Sequence, residues 1–187
     1  MIRKALPTDA KAIAPLIVQA MGKLANKFSN TDDELKTLNL FEHFIGEKDN
    51  QYSFENTIIF EEDGVILGAL NAYNGANLLL LRDNFLTYLK TYKNLKDFNP
   101  ERETQEGEFY FDTLSVNSKA QGRGIGKQLI TSGIKWAKNL GHQKIGLLVA
   151  FENQRALSIY EKIGFKIEND IKFVGDDYHH MVFKINP

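Results

Sequence analysis

Residues 121–126 read QGRGIG, with three glycines in six positions. The segment follows the aromatic and β-branched run FYFDTLSV (109–116), which reads as a strand, and the loop NSKA (117–120). It precedes KQLITSGIKWAKNL (127–140), which reads as a helix. Each glycine weakens a helix start by roughly 0.5–1 kcal/mol relative to alanine. Such density implies a backbone that something must approach closely. A helix starting near Gly122 presents amides with no intrahelical partner, and its dipole favours an anion there. Removing side chains at Gly122, Gly124 and Gly126 lets a phosphate reach those amides, and Arg123 and Lys127 add positive charge.

Three phosphate-binding patterns compete for this stretch. A Walker A loop needs a glycine at position 121 and Ser or Thr at 128, where Gln121 and Gln128 stand. The dinucleotide fingerprint finds its first glycines in Gly122 and Gly124, but its third position is Lys127. The pattern Gln/Arg-x-x-Gly-x-Gly/Ala is met by Gln121, Gly124 and Gly126.

The remaining chain reads as a mixed α/β sequence. MIRKAL (1–6) is a strand candidate. A helix is predicted over 7–28, capped by Thr8, with Ile13, Leu16, Ile17, Ala20 and Leu24 at helical spacing and Pro15 as a possible kink. A second helix is predicted over 31–48, with Thr31 and Glu34 forming a capping box and Leu35, Leu38, Phe41 and Ile45 on its apolar face. Asp63-Gly64 joins two β-branched runs as a hairpin. Residues 75–107 read as a helical insert followed by a loop, with the run LLLL at 78–81 partly buried. KIGLLVAF (144–151) suits a buried strand. NQRALSIYEKI is a short helix capped by Asn153 and closed by Gly164, and two final strands flank 175–177.

The two glycine-bearing segments together resemble the signatures of the GNAT superfamily of acyl-CoA-dependent N-acyltransferases. QGRGIG is similar to the family's pyrophosphate-binding signature, and NQRALSIYEKIGF (153–165) to its second signature. The opening IRKALPTDAKAIAPLI and the closing YHHMVF are also similar to family members. The resemblance covers nearly the whole chain apart from 75–107. It implies a single domain over 1–187, built on a central, largely antiparallel twisted sheet with one splayed parallel pair and flanking helices. It further implies acetyl-CoA as co-substrate. Leu114, Ser115 and Val116 would offer backbone groups to the pantetheine arm. Gln121, Gly122, Arg123, Gly124, Ile125, Gly126 and Lys127 would cradle the pyrophosphate. Asn153, Ala156 and Tyr160 would face the cofactor, and strand 144–150 would splay from 109–116 to open a cleft.

Acyl transfer to an amine needs a neutral nucleophile, a donor for the oxyanion and a proton for the leaving thiolate. Ala156 and Tyr160 are four residues apart and share a helix face. A phenol of unperturbed pKa ~10 stays protonated at neutral pH, and the resemblance implies that Tyr160 is the general acid. Strand alternation places Glu108, Tyr110, Asp112 and Leu114 on one face, which makes Glu108 and Asp112 the candidate bases. The bland alternatives are a core tyrosine, a simple helix cap at Asn153, and carboxylates that only pair with cations. His179 and His180 point to opposite faces of a strand and read as structural, while His43 and His142 stand alone. No metal-ligand spacing appears.

The 187-residue chain has 23 basic and 24 acidic residues, so charge gives no case for nucleic acid or an anionic membrane as partner. It has no Cys, which excludes disulfides and a thiol nucleophile and fits a reducing compartment. The N-terminal residues lack a signal-peptide pattern, and a cytoplasmic protein is expected. Glu101, Glu103, Glu106, Glu108 and Asp112 form an acidic cluster, which reads either as an attractor of a cationic amine near the acceptor cleft or as a solvated acidic loop. The expected reaction is acetyl transfer to a primary amine of a small molecule or peptide by direct attack in a ternary complex. The competing expectation is a non-catalytic acyl-CoA sensor. The insert at 75–107 would wall the acceptor site or make a homodimer contact.

Overall fold

A computed structural model describes residues 1–186. Its frame is a seven-stranded sheet in the order β1-β2-β3-β4-β5-β7-β6. The strands are β1 (Ile2–Lys4), β2 (Thr57–Glu62), β3 (Val65–Asn74), β4 (Glu108–Val116), β5 (Lys144–Ala150), β6 (Lys166–Phe173) and β7 (Asp176–Lys184). Every neighbouring pair is antiparallel except β4 and β5. Helices α1 (Ala10–Met21), α2 (Lys23–Ser29), α3 (Glu34–Gly46) and α4 (Leu78–Tyr92) cover one face. Helices α5 (Ile125–Asn139) and α6 (Gln154–Ile163) cover the other.

Each face follows from the side chains that leave it. Ile13, Ile17, Phe41, Phe44 and Phe85 pack on Ile59 and Ala69 of the sheet. On the opposite face, Ile125, Leu129, Ile130 and Ala137 of α5 pack on Leu70, Phe111, Leu147 and Met181. Asp63 and Gly64 turn with φ of 51° and 76°, as the hairpin signal requires. Gly133 brings α5 against β3, since a Cβ there would lie 2.5 Å from both Leu70 and Phe111 side-chain atoms.

Several local expectations are corrected. The first predicted helix is two, broken at Gly22 with φ 54° and ψ −128°, and it runs straight through Pro15. It is preceded by a 3-10 turn at Pro7–Asp9, so Thr8 is not its cap. Asp33, not Thr31, caps α3 by accepting from the Lys36 amide, and Leu35 faces solvent. Helix α5 begins at Ile125 rather than near Gly122, because Gly122 and Gly124 both have positive φ. In the leucine run, Leu78 is buried while Leu79 and Leu80 are exposed.

Most important is a bulge in β4. Thr113 pairs with Asn71 and Phe111 with Ala72, which leaves Asp112 without a partner. The extra residue shifts the alternation. Leu114 and Val116 therefore pack with Phe111 on the α5 side, not with Asp112 as a regular strand would place them.

Candidate active site

The parallel pairing of β4 and β5 runs from Glu108–Lys144 to Phe111–Leu147 and stops there. Beyond it, β5 stays paired with β7 as far as Ala150–Tyr178, so the seam that opens is the one beside β4. The opening coincides with the bulge at Asp112, whose added residue bends and twists the strand. The result is a cleft of about 590 Å³. Its lining includes Leu114, Val149, Asn153, Ala156 and Tyr160, together with Phe28, Tyr52, Glu103 and Asp112.

The glycine segment lies between β4 and α5. At Gly122 and Gly124 an added Cβ would meet nothing within 4 Å, so their positive φ is the reason the chain needs glycine there. Gly126 differs. Its φ is ordinary, and a Cβ would touch only the Val116 side chain, at 3.7 Å. Folding alone does not demand glycine at 126, which leaves room for a ligand as the physical reason. The first intrahelical acceptor is Gly124 O, bonded by Gln128 N at 3.1 Å. The preceding first-turn amides, of Ile125, Gly126 and Lys127, sit at the positive end of a 15-residue helix. The Ile125 side chain itself is core.

The charges around the segment divide. Arg123 is not a free cation, because both Glu62 oxygens accept from it at 2.8 Å. Lys127 is exposed. Gln121 joins the two signatures: its amide donates to Val116 O at 3.3 Å and its carbonyl accepts from Arg155 at 3.2 Å. Gln19 of α1, which sequence reasoning missed, donates to Ser115 Oγ at 2.7 Å and to Val116 O at 3.0 Å. Ser115 is thus tied on the α1 side and is not among the residues lining the cleft.

Asn153 caps α6, its side chain accepting from the Ala156 amide at 3.1 Å. One turn further, Tyr160 is half-buried, packs edge-on against Phe165, and lines the cleft. Burial raises its pKa, so the phenol remains a donor at any physiological pH.

The two candidate bases part company. Asp112 lines the cleft, where the Tyr73 hydroxyl donates to its Oδ2 at 2.7 Å and Gln51 Nε2 reaches the same oxygen at 3.5 Å. Burial, and then the neighbouring Glu103 charge, push its pKa up to about 7, while Tyr73, Arg82 and Gln51 restrain the rise. Glu108 is fully buried and lies outside the cleft lining. His180 Nε2 lies 3.1 Å from Glu108 Oε1, and the Gln105 amide donates to Oε2 at 3.0 Å. Its pKa falls although burial opposes this, because the His180 and Gln105 hydrogen bonds outweigh it. The structure therefore does not bring Glu108 to Tyr160 or Asp112.

Glu108, Glu168 and His180 lie within 4.8 Å of one another, a set compatible with a metal ion that spacing in the sequence did not reveal. Two features favour an ion pair there instead. Lys144 Nζ sits 3.9 Å from Glu108, and His180 turns different nitrogens to the two glutamates. His179 faces the other way, 2.7 Å from Asp170 and stacked on Phe151.

Behind the lining residues Asp112 and Glu103 lie further residues that no motif flagged. Arg82 of α4 pairs with Glu103 in the interior, and its Nε donates to Gln51 at 3.1 Å. Tyr52, Tyr73 and Tyr110 are all buried beside this group. Only alternation along β3 hinted at Tyr73, since it shares a face with Asn71 and Ala69.

Comparison with known proteins gives a consistent picture. The acetyltransferase (GNAT) family model matches residues 23–165. A mycothiol acetyltransferase of Saccharomonospora viridis is 34% identical over 68 residues, which are 36% of this chain and 22% of that protein. The chain thus spans only about a fifth of the length of the curated relatives it first matches. A crystal structure described as an acetyltransferase superposes with a TM-score of 0.82 at 26% identity, covering 100% of both chains. An N-acetyltransferase from Staphylococcus aureus gives a TM-score of 0.79 at 24% identity over 98% of this chain and 100% of that one.

Proposed function

The chain belongs to the acetyltransferase (GNAT) family, and from that premise we propose that it transfers an acetyl group from acetyl-CoA to a primary amine of a small molecule or peptide. The observation that carries this reading is the open β4–β5 seam, with Asp112 and Tyr160 lining one cleft.

The residues fit the donor. Free first-turn amides at Ile125, Gly126 and Lys127 suit a pyrophosphate, and the open space over Gly122 and Gly124 admits it. Gln121 and Lys127 flank that position, and Asn153 and Ala156 border the path toward Tyr160. Acetyl-CoA supplies the acyl thioester.

The proton work falls to side chains of this chain. Asp112, with a pKa near 7, accepts a proton from the arriving ammonium and so exposes the nitrogen lone pair. Tyr160 keeps its proton until a better acceptor, the departing sulfur, needs it. Per turnover the ammonium loses two protons: one leaves through Asp112 to solvent, and the other replaces the one Tyr160 gives up. Attack is direct, in a ternary complex. A chain without cysteine offers no thiol for a covalent intermediate, and Ser115 is bound to Gln19.

Among the described residues no helix is long and apolar enough to cross a membrane. A cysteine-free chain suits a reducing compartment, and we assign the reaction to the cytoplasm. Leu79 and Leu80, exposed next to each other at the start of α4, suit a homodimer contact. The test of the reading is thermal stabilisation by acetyl-CoA against ATP and NAD, followed by CoA release across a panel of amines. No shift with saturating acetyl-CoA overturns it.

A further inference from the structure

The cleft holds more carboxylate than one proton transfer uses. Glu103, Asp112, Glu152 and Asp176 line the cleft against a single basic residue, Lys23. Asp176 is already paired with Lys27 at 2.8 Å. Glu103 stands apart from the others. Its side chain is only 4% exposed, one oxygen accepts from Arg82, and Oε2 accepts no hydrogen bond among the described residues. Arg82 also directs Nε to Gln51 and Nη1 to Glu101 O, at 3.1 Å each. A buried acceptor without a donor costs free energy until something supplies one.

We propose that Glu103 anchors a second cation of the acceptor, which makes the acceptor a dicationic aliphatic amine without a carboxylate. The inference rests on the acyl-transfer reading above. Two carboxylates acting on the same nitrogen would work against each other. Burial raises the Glu103 pKa and Arg82 opposes that rise; ionised on Arg82, a Glu103 beside the reacting nitrogen would hold it as ammonium and oppose attack. Separate cations remove the conflict: one nitrogen gives its proton to Asp112 and the other stays protonated on Glu103. Phe28, Tyr52, Phe173 and Tyr178 line the same cleft and suit a methylene spacer. An acceptor bearing a carboxylate would meet a lining of four carboxyl groups and one lysine.

The experiment measures kcat/KM at saturating acetyl-CoA for 1,4-diaminobutane and 1,6-diaminohexane. Each is set against its monoamine of equal length, n-pentylamine or n-heptylamine, with 5-aminopentanoate as the anionic probe. At least one diamine should exceed its monoamine by about ten-fold or more, as for a charge-assisted hydrogen bond, and 5-aminopentanoate should be the poorest substrate. In Glu103→Gln the diamine-to-monoamine ratio should fall to near one. Equal rates for diamines and monoamines in the native protein overturn the inference. So does a preference that survives in a folded Glu103→Gln. The native comparison needs no variant, so a misfolded one does not remove the test. No CoA release from any amine overturns the transfer reading and this inference with it.

Discussion

The Tyr73 hydroxyl donates to Asp112 Oδ2 at 2.7 Å, across from the bulge where Asp112 loses its strand partner. The bulge frees the carboxylate from the sheet, and Tyr73 fixes where it points. A base with a pKa near 7 is competent when ionised, so kcat/KM for the amine should rise with pH through about 7 and level off above it. Tyr73→Phe removes a donor that favours the ionised form. The rising limb should then move up by about one unit. A pH–rate profile checks this, and an unmoved limb would separate Tyr73 from the titrating group.

Asp112→Asn keeps the size of the side chain and an oxygen for Tyr73, but cannot take a proton. The rate should fall by about 10²–10⁴ with little change in acetyl-CoA affinity. Stability should move the opposite way. With a native pKa raised from 3.8 to about 7, the folded wild type holds more protons than the unfolded chain between those values. Its stability therefore falls as pH climbs through that window. The variant is spared this loss. Melting curves should show its relative advantage growing from pH 4 to pH 7 and constant beyond.

Tyr160→Phe keeps the ring against Phe165 and deletes only the hydroxyl. If the phenol protonates the leaving sulfur, kcat falls while the dissociation constant for acetyl-CoA, measured by calorimetry, stays close to that of the native protein. A full-rate variant would refute the general-acid role.

Glu108 tests how far strand alternation can be trusted. Its carboxylate is held by His180 and the Gln105 amide, and Gly146 makes room for it, since a Cβ there would collide with that carboxylate. Removing one partner of a buried pair costs about 3–5 kcal/mol. Glu108→Ala should thus lower the melting temperature by about 10 °C while the folded enzyme keeps its limb near pH 7. Loss of that limb in a folded variant would make Glu108 the base in place of Asp112.

What the chain reveals before folding depends on how local the cause is. QGRGIG and NQRALSIY act through their own backbone, and the glycine turn, the Asn153 cap and the Ala156–Tyr160 face are all readable from spacing. The hairpin at Asp63-Gly64 is equally local. Glu108 could not be resolved this way, because its partner His180 is 72 residues distant. The bulge at Asp112 leaves no mark in FYFDTLSV, since it belongs to the register with β3 rather than to the strand itself. Arg82 draws no reading from the sequence and Glu103 reads only as part of an acidic cluster, because only the packing of α4 under the sheet brings the two together in the interior. The glycine turn and the α6 cap are legible from sequence, while the surroundings of Asp112 and Glu103 require tertiary contacts.

Gly126 offers the cleanest separation of folding from binding. Its backbone is ordinary helix, and a methyl group would make only a 3.7 Å contact with Val116. Alanine is the better helix former, so Gly126→Ala should melt at the same temperature or slightly higher. The added methyl would sit in the first turn beside Val116, next to the amides that a pyrophosphate needs to approach directly. The KM for acetyl-CoA should rise by about ten-fold or more, as expected for losing a hydrogen bond to a charged group. The amine dependence at saturating acetyl-CoA should change far less. Gly124→Ala makes the contrasting case: φ there is 77°, so that variant should lose stability as well as affinity. Unchanged acetyl-CoA kinetics in a well-folded Gly126→Ala would mean that the segment turns the chain and holds no phosphate.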